Sequence, residues 1–176
     1  MHAKKNIILS FLVLLTTWLF AGEKMSGTTA TTLPAHSLFG SVVSVNGNFA
    51  VVSAPQESYD SLHSVGAVYI YQIKNGKWEF FQRIIPSDPS MMKLFGSSVK
   101  LLNHTLIVGA PNDNARSGAV YVFKFNGSVW IENQKIVPKS PVPFQSFGIS
   151  IDMGYQMALI SSVTSQNSDS VSGTIY

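Results

Sequence analysis

Residues 95–125 read FGSSVKLLNHTLIVGAPNDNARSGAVYVFKF, and the chain carries this stretch nearly three times. An earlier copy starts at Phe39 as FGSVVSVNGNFAVVSAPQESYDSLHSVGAVYIYQI, and a later one starts at Phe147. Three landmarks recur in order. The first is an aromatic followed by glycine: Phe39 Gly40, Phe95 Gly96 and Phe147 Gly148. The second is a small-residue signature, Ser53 Ala54 Pro55 and Gly109 Ala110 Pro111, degraded to Ser161 Ser162 Val163. The third opens a strand at Gly66, Gly118 and Gly173, each leading to a tyrosine at Tyr69, Tyr121 and Tyr176. The first landmark recurs after 56 and 52 residues and the third after 52 and 55. So constant a period defines a repeat architecture before any single residue is weighed.

Within each copy the pattern has period two. Short β-branched runs flank Asn46 Gly47 in the first copy and Asn103 His104 in the second, and Asn-Gly between apolar runs is a hairpin signal. A third strand follows the Pro55 or Pro111 loop, with Ala67, Tyr69 and Tyr71 on one face in the first copy and Ala119, Tyr121 and Phe123 in the second. Both faces are apolar over the first half of that strand, so it is expected between two layers. Asn75 Gly76 and Asn126 Gly127 turn the chain into a fourth strand led by Trp78 or Trp130, again 52 residues apart. Four antiparallel strands per unit make one propeller blade or one sheet of a stacked array. No helical period is sustained outside the N-terminal leader.

The third copy starts normally with strands around Gly154 Tyr155, then passes through a Ser-rich stretch at 161–172 that reads as a loop. It stops at Tyr176, where the other copies continue for half a strand and a whole fourth strand. The expectation is an all-β chain of about two and a half blades, part of a longer protein or a truncated reading frame. The units are 38–90, 91–143 and the partial 144–176.

Ahead of them, Lys4 and Lys5 precede an apolar run at 7–21 and the small pair Ala21 Gly22, the layout of a signal peptide over 1–21. An uncleaved anchor is the alternative, although 15 residues fall short of the roughly 20 that span a bilayer. Residues 22–37 read as a linker, or at 28–33 as a stray outer strand, because Leu33 Pro34 resembles Ile85 Pro86 and Val137 Pro138. A secreted, periplasmic or cell-surface location follows from the leader. Charged residues make up only 12% of the chain, where about a quarter is usual. Without the leader the net charge falls from +3 to 10 − 9 = +1 and no basic cluster remains, which argues against nucleic acid as a partner. The chain has no cysteine, so disulfides are excluded and stacked repeats must supply the core.

Phe-Gly, then Gly-Ala-Pro, then Gly-Ala-Val-Tyr resembles the FG-GAP repeat of integrin α-subunit propellers and of many exported bacterial proteins. The Trp78 with Gln82 and Trp130 with Gln134 strands look most like the bacterial variety. The resemblance covers about residues 33–176 and implies a β-propeller with one blade per repeat and a role in adhesion or surface recognition. The motif residues, Phe39, Gly40, Ala54, Pro55, Gly66, Tyr69, Trp78, Phe95, Gly96, Gly109, Ala110, Pro111, Gly118, Tyr121, Trp130, Phe147, Gly148 and Gly173, are expected to be scaffold. Small residues at Ala54, Gly109 and Ala110 would let inner strands crowd a central channel. Many family members carry an Asp-rich calcium loop between the first two strands of a blade. That place here holds only Asn46 Gly47 Asn48, Asn103 His104 and Gly154 Tyr155, so calcium is not carried over and no cofactor is expected.

Asn112, Asp113 and Asn114 form the most ligand-like run, a carboxylate between two amides. An Asx-type turn explains them as well, since the equivalent Gln56 Glu57 Ser58 is chemically different. His36, His63 and His104 lie in separate loops without zinc-ligand spacing. No nucleophile elbow is present, and the 9 acidic residues are dispersed without a pair that converges in sequence. The expected function is therefore non-enzymatic binding of a protein or cell-surface ligand through the variable loops 56–65, 112–117 and 161–172. The propeller portion of a larger exported enzyme and a non-functional truncated product are the alternatives. Self-association through open blade edges is expected as well.

Overall fold

In the computed structural model the described residues are 35–167 and 170–176. The leader at 1–21, and all but the last three residues of the segment 22–37, lie outside them. Three antiparallel sheets follow one another along the chain. The first holds β1 (Val43–Asn46), β2 (Phe49–Ala54), β3 (Ala67–Lys74) and β4 (Lys77–Ile84). The second holds β5 (Ser98–Leu102), β6 (Thr105–Ala110), β7 (Ala119–Phe125) and β8 (Trp130–Ile136). The third holds β9 (Ser150–Met153), β10 (Ala158–Asn167) and β11 (Ser170–Ile175). Neighbours in sequence are neighbours in each sheet, as short Asn-containing turns require.

The register repeats as closely as the sequence. Ala54 faces Ala67, Ala110 faces Ala119, and Ser162 faces Thr174. The third and fourth strands of both complete sheets slip at the same place, between Ile70 and Tyr71 and between Val122 and Phe123. Such a bulge sharpens the local twist of the outer edge.

The sheets stack face to face and run close along their first strands, with β1 beside β5 and β5 beside β9. The largest core lies between the first two sheets: Val51, Val68 and Ile70 from the first meet Leu101, Leu106, Val108 and Phe123 from the second. Phe49 sits at its centre with edge contacts to Phe81, Phe125 and Trp130. A smaller core joins Ile107 and Val120 of the second sheet to Phe147 and Ile160 of the third. The middle strands β2, β3, β6 and β7 are apolar on both faces because each face meets a layer. This is the packing of incomplete β-propeller blades, as the repeat anticipates.

One expectation is corrected. The Ser-rich stretch 161–172 is not a loop: β10 runs on through Asn167, and β11 returns from Ser170. In the first two sheets the corresponding strand stops at Pro55 or Pro111, which cannot donate to the ladder and turns the chain. In the third unit Val163 occupies that place, a β-branched residue that lets pairing continue from Val163↔Gly173 to Asn167↔Ser170.

Candidate functional site

The landmark residues meet at the seams between sheets. Within each unit the Phe-Gly amide donates back to the small-residue signature: Gly40 N to Ser53 O (2.8 Å), Gly96 N to Gly109 O (2.9 Å) and Gly148 N to Ser161 O (3.0 Å). Across each seam the aromatic amide donates to the residue before the next landmark glycine, Phe95 N to Val65 O and Phe147 N to Ser117 O, both at 2.9 Å. Gly66 (φ +90°) and Gly118 (φ +87°) lie so close to the backbones of Phe95 and Phe147 that a Cβ on either would overlap them. A Cβ on Gly109 would overlap the Gly148 carbonyl, which already accepts the Ser98 hydroxyl at 2.6 Å. The smallness of Gly109 therefore serves the seam with the next unit. Gly173 meets no such contact.

The landmark aromatics pack alike in every unit. Phe39 sits edge-on to Tyr69 (5.3 Å), Phe95 to Tyr121 (5.3 Å) and Phe147 to Tyr176 (5.1 Å). Ala54, Pro55, Ala110 and Pro111 are buried at the ends of β2 and β6. Trp78 is half-buried against the outer face of the first sheet, and Trp130 is buried in the main core. Gln82 clasps the Trp130 backbone from the previous sheet, accepting its N–H at 2.8 Å and donating to its carbonyl at 3.0 Å.

Each landmark tyrosine also anchors a polar cluster. In the first unit Tyr69 Oη donates to Glu57 Oε2 (2.7 Å), and Arg83 Nε donates to Glu57 Oε1 (2.7 Å). Glu57 is nearly inaccessible to solvent. In the second unit Asp113 takes the place of Glu57 and Lys135 that of Arg83, while Lys93 and Asp88 are added. Lys135 Nζ lies 2.5 Å from Asp113 Oδ2 and donates to Asp88 Oδ2 at 2.7 Å. The fully buried Lys93 donates to Asp88 Oδ1 and to Tyr121 Oη, both at 2.8 Å, and lies 3.2 Å from Asp113 Oδ1. Tyr121 Oη donates to Asp88 Oδ1 at 2.7 Å. In the third unit a neutral pair remains, Gln145 Nε2 donating to Tyr176 Oη at 2.6 Å.

The electrostatics follow from burial and partners. Burial, then the hydrogen bond to Glu57, pushes the Tyr69 phenol up to about 12. Burial first and the Asp88 bond second push Tyr121 well above the ordinary phenol range. Burial works against ionised Asp88, but the bonds from Lys135, Lys93 and Tyr121 outweigh it and hold the carboxyl far below its usual range. Burial opposes charge on Lys135 too, and the bonds to Asp113 and Asp88 more than offset it. The clusters thus keep charges paired and phenols protonated, a fastening role.

Carboxylates do converge, contrary to the reading from sequence: Asp88 and Asp113 share two lysines and a tyrosine. Glu57 and Asp113 perform one task despite their different side chains. Asp113 is turned inward, whereas Asn112 is half-buried and Asn114 exposed, so the run 112–114 does not converge on one point. The backbone takes left-handed φ at Asn114, Ala115 and Arg116, which lifts Asn114 and Arg116 to the rim. There Arg116 lies 5.7 Å over the ring of Phe144. On the neighbouring loop Ser58, Asp60 and His63 are exposed, and Arg83 lies 5.9 Å over Tyr59. Among the described residues no three His, Asp or Glu side chains gather as a metal cluster.

These stacked, seam-locked sheets define a protein built from β-propeller blades. A family model of the FG-GAP repeat matches residues 78–123, so this stretch of the chain is similar to an FG-GAP repeat. The matched stretch runs from β4 across the first seam into β7, taking in Gln82, Phe95, Gly96, the Gly109–Pro111 signature and Tyr121. No curated protein matches the chain.

Proposed function

We propose that this chain is an exported, non-enzymatic β-propeller scaffold that recognises protein or cell-surface partners through its rim loops. One observation carries the reading. The carboxylates that recur in the repeat, Glu57 and Asp113, are buried and paired with Arg83 and Lys135, while the loops that carry them in the first two units present different exposed residues. The first offers Asp60 and His63 with Tyr59 beneath Arg83; the second offers Asn114 and Arg116 with Phe144. A constant frame with changing loops is how specificity is grafted onto repeats. Export rests on the leader pattern at 1–21.

The test is biolayer interferometry of the full chain against immobilised fibronectin, collagen and a sialylated glycan array. Binding to at least one probe is expected to weaken tenfold or more in Asp60→Ala/His63→Ala or in Asn114→Ala/Arg116→Ala, with an unchanged urea midpoint. Binding indifferent to both double variants would refute rim recognition.

A further inference from the structure

Antiparallel strands place alternate connections at opposite ends of a sheet, so the turns 46–49, 102–105 and 153–157 lie at the far end from the loops 56–65 and 112–117. Contacts between first strands bring these turns side by side. Leu101 N donates to Ser44 Oγ at 3.0 Å, Asn103 N donates to Asn46 Oδ1 at 2.8 Å, and Lys100 Nζ lies 2.6 Å from Asp152 Oδ1. The second turn is therefore flanked on both sides. Asn48, His104 and Gln156 each stand nine residues after a landmark phenylalanine, and all three are exposed. Gly47, Asn103 and Tyr155 stand one residue earlier, and Tyr155 is 87% exposed.

Backbone geometry accounts for only part of this row. Gly47 and Asn103 have left-handed φ of +57° and +51°, which glycine and asparagine tolerate best, but Asn48, Tyr155 and Gln156 have no such conformation to serve. The row is also partly fixed in advance. Asn46 Oδ1 is committed to the Asn103 amide, and the His104 ring packs 5.7 Å from that of Phe125. Charges at its edge are occupied: Lys100 pairs with Asp152, and Lys124 Nζ donates to Thr105 Oγ1 at 2.6 Å.

We propose that this row binds a neutral oligosaccharide, with the Tyr155 ring covering the C–H face of one sugar and the amides of Asn48, Asn103 and Gln156 pairing with hydroxyls. A planar amide offers a donor and an acceptor side by side, which is what two neighbouring sugar hydroxyls can satisfy. Tyrosine among asparagine and glycine is the composition with which binding loops combine a rigid aromatic contact with adaptable hydrogen bonds. An anionic chain would find no free cation here to attract it. A protein partner needs a desolvated apolar centre, whereas Tyr155 and Met157 are outnumbered by exposed polar side chains in these turns. The site goes beyond the recognition proposed for the loops at 56–65 and 112–117, which lie at the other end of the sheets.

Isothermal titration calorimetry of the full chain with maltohexaose, cellohexaose, chitohexaose and mannohexaose tests the proposal. At least one should bind, with the same affinity at low and at high salt because no ion pair is there to be screened. Tyr155→Ala should weaken that binding tenfold or more at an unchanged urea midpoint. Asn103→Gly, which removes the amide and suits the left-handed backbone, should do the same. Asp60→Ala/His63→Ala, at the other end of the sheets, should leave it intact. No binding of any of the four sugars, full-strength binding in both Tyr155→Ala and Asn103→Gly, or binding that disappears in Asp60→Ala/His63→Ala would overturn the proposal.

Discussion

Gly118 and Gly127 share a backbone conformation but not surroundings, and replacing each by alanine separates local strain from the seam. Gly118 has φ +87° and touches Phe147; Gly127 has φ +98° in an open turn with nothing within 4 Å. A left-handed alanine costs about 1–2 kcal/mol, and the stiffer unfolded chain returns about 0.4–1 kcal/mol. Gly127→Ala should therefore destabilise by about 0.5–1 kcal/mol. Gly118→Ala carries the same local cost. In addition its new methyl must displace the Phe147 backbone by roughly 1 Å to restore van der Waals contact, stretching the 2.9 Å bond from Phe147 N to Ser117 O. Overpacking against backbone adds about 2–3 kcal/mol, for a total of about 3–4 kcal/mol. With a urea slope of about 2 kcal/mol/M, the midpoint should fall by about 1.5–2 M for Gly118→Ala and by less than about 0.5 M for Gly127→Ala. Tryptophan fluorescence reports it, since Trp130 is buried between the first two sheets. Equal shifts for the two variants would show that the seam does not constrain the landmark glycine.

Ser162 is buried with an unpaired hydroxyl where the other units have Ala54 and Ala110, so Ser162→Ala should raise the urea midpoint, by about 1 kcal/mol of stability; a lower midpoint would show that the hydroxyl has a partner. The Tyr69 phenol, raised to about 12 from an unfolded value near 10, binds its proton more tightly in the folded state. Its contribution is complete below pH 10 and disappears as pH rises from 10 to 12, so wild type should lose about 2–3 kcal/mol more than Tyr69→Phe over that window, with phenolate absorbance rising in step with unfolding. Gln82→Ala removes both clasps on the Trp130 backbone and should cost about 1–2 kcal/mol in thermal unfolding, whereas Gln82→Glu, which keeps the acceptor and loses the donor, should fall between the two. An alanine variant as stable as wild type would show that water replaces the clasp.

What was legible in the sequence follows from how local each signal is. The hairpins at Asn46 Gly47, Asn75 Gly76 and Asn126 Gly127, and the alternation along β3 and β7, depend on neighbours in sequence and could be read directly. The seam glycines were visible as a pattern, but their reason was not, because Gly66 answers to Phe95 and Gly118 to Phe147 across a sheet boundary. Nor could the charge clusters be read: Asp88, Lys93, Asp113, Tyr121 and Lys135 come from a connector, a loop and two strands, and their convergence depends on the fold. Aligning Glu57 with Asp113 through Pro55 and Pro111 was the available signal, and the difference in side-chain type hid it. The serine content of the run from Ser161 points to a loop, which the strand pairing overrides. Val163 in place of a proline was the better guide, since backbone restriction decides whether a strand may continue.

That substitution gives the rim a shape. From Ser162 to Asn167 the strand continues about five residues past the point where its counterparts turn, which at about 3.3 Å per residue is some 16 Å of further strand where the other units have irregular loops. A hydrogen-bonded ribbon holds its outline where an irregular loop can yield, so this part of the rim meets a visitor with a fixed shape. The geometry sorts visitors by outline before chemistry begins.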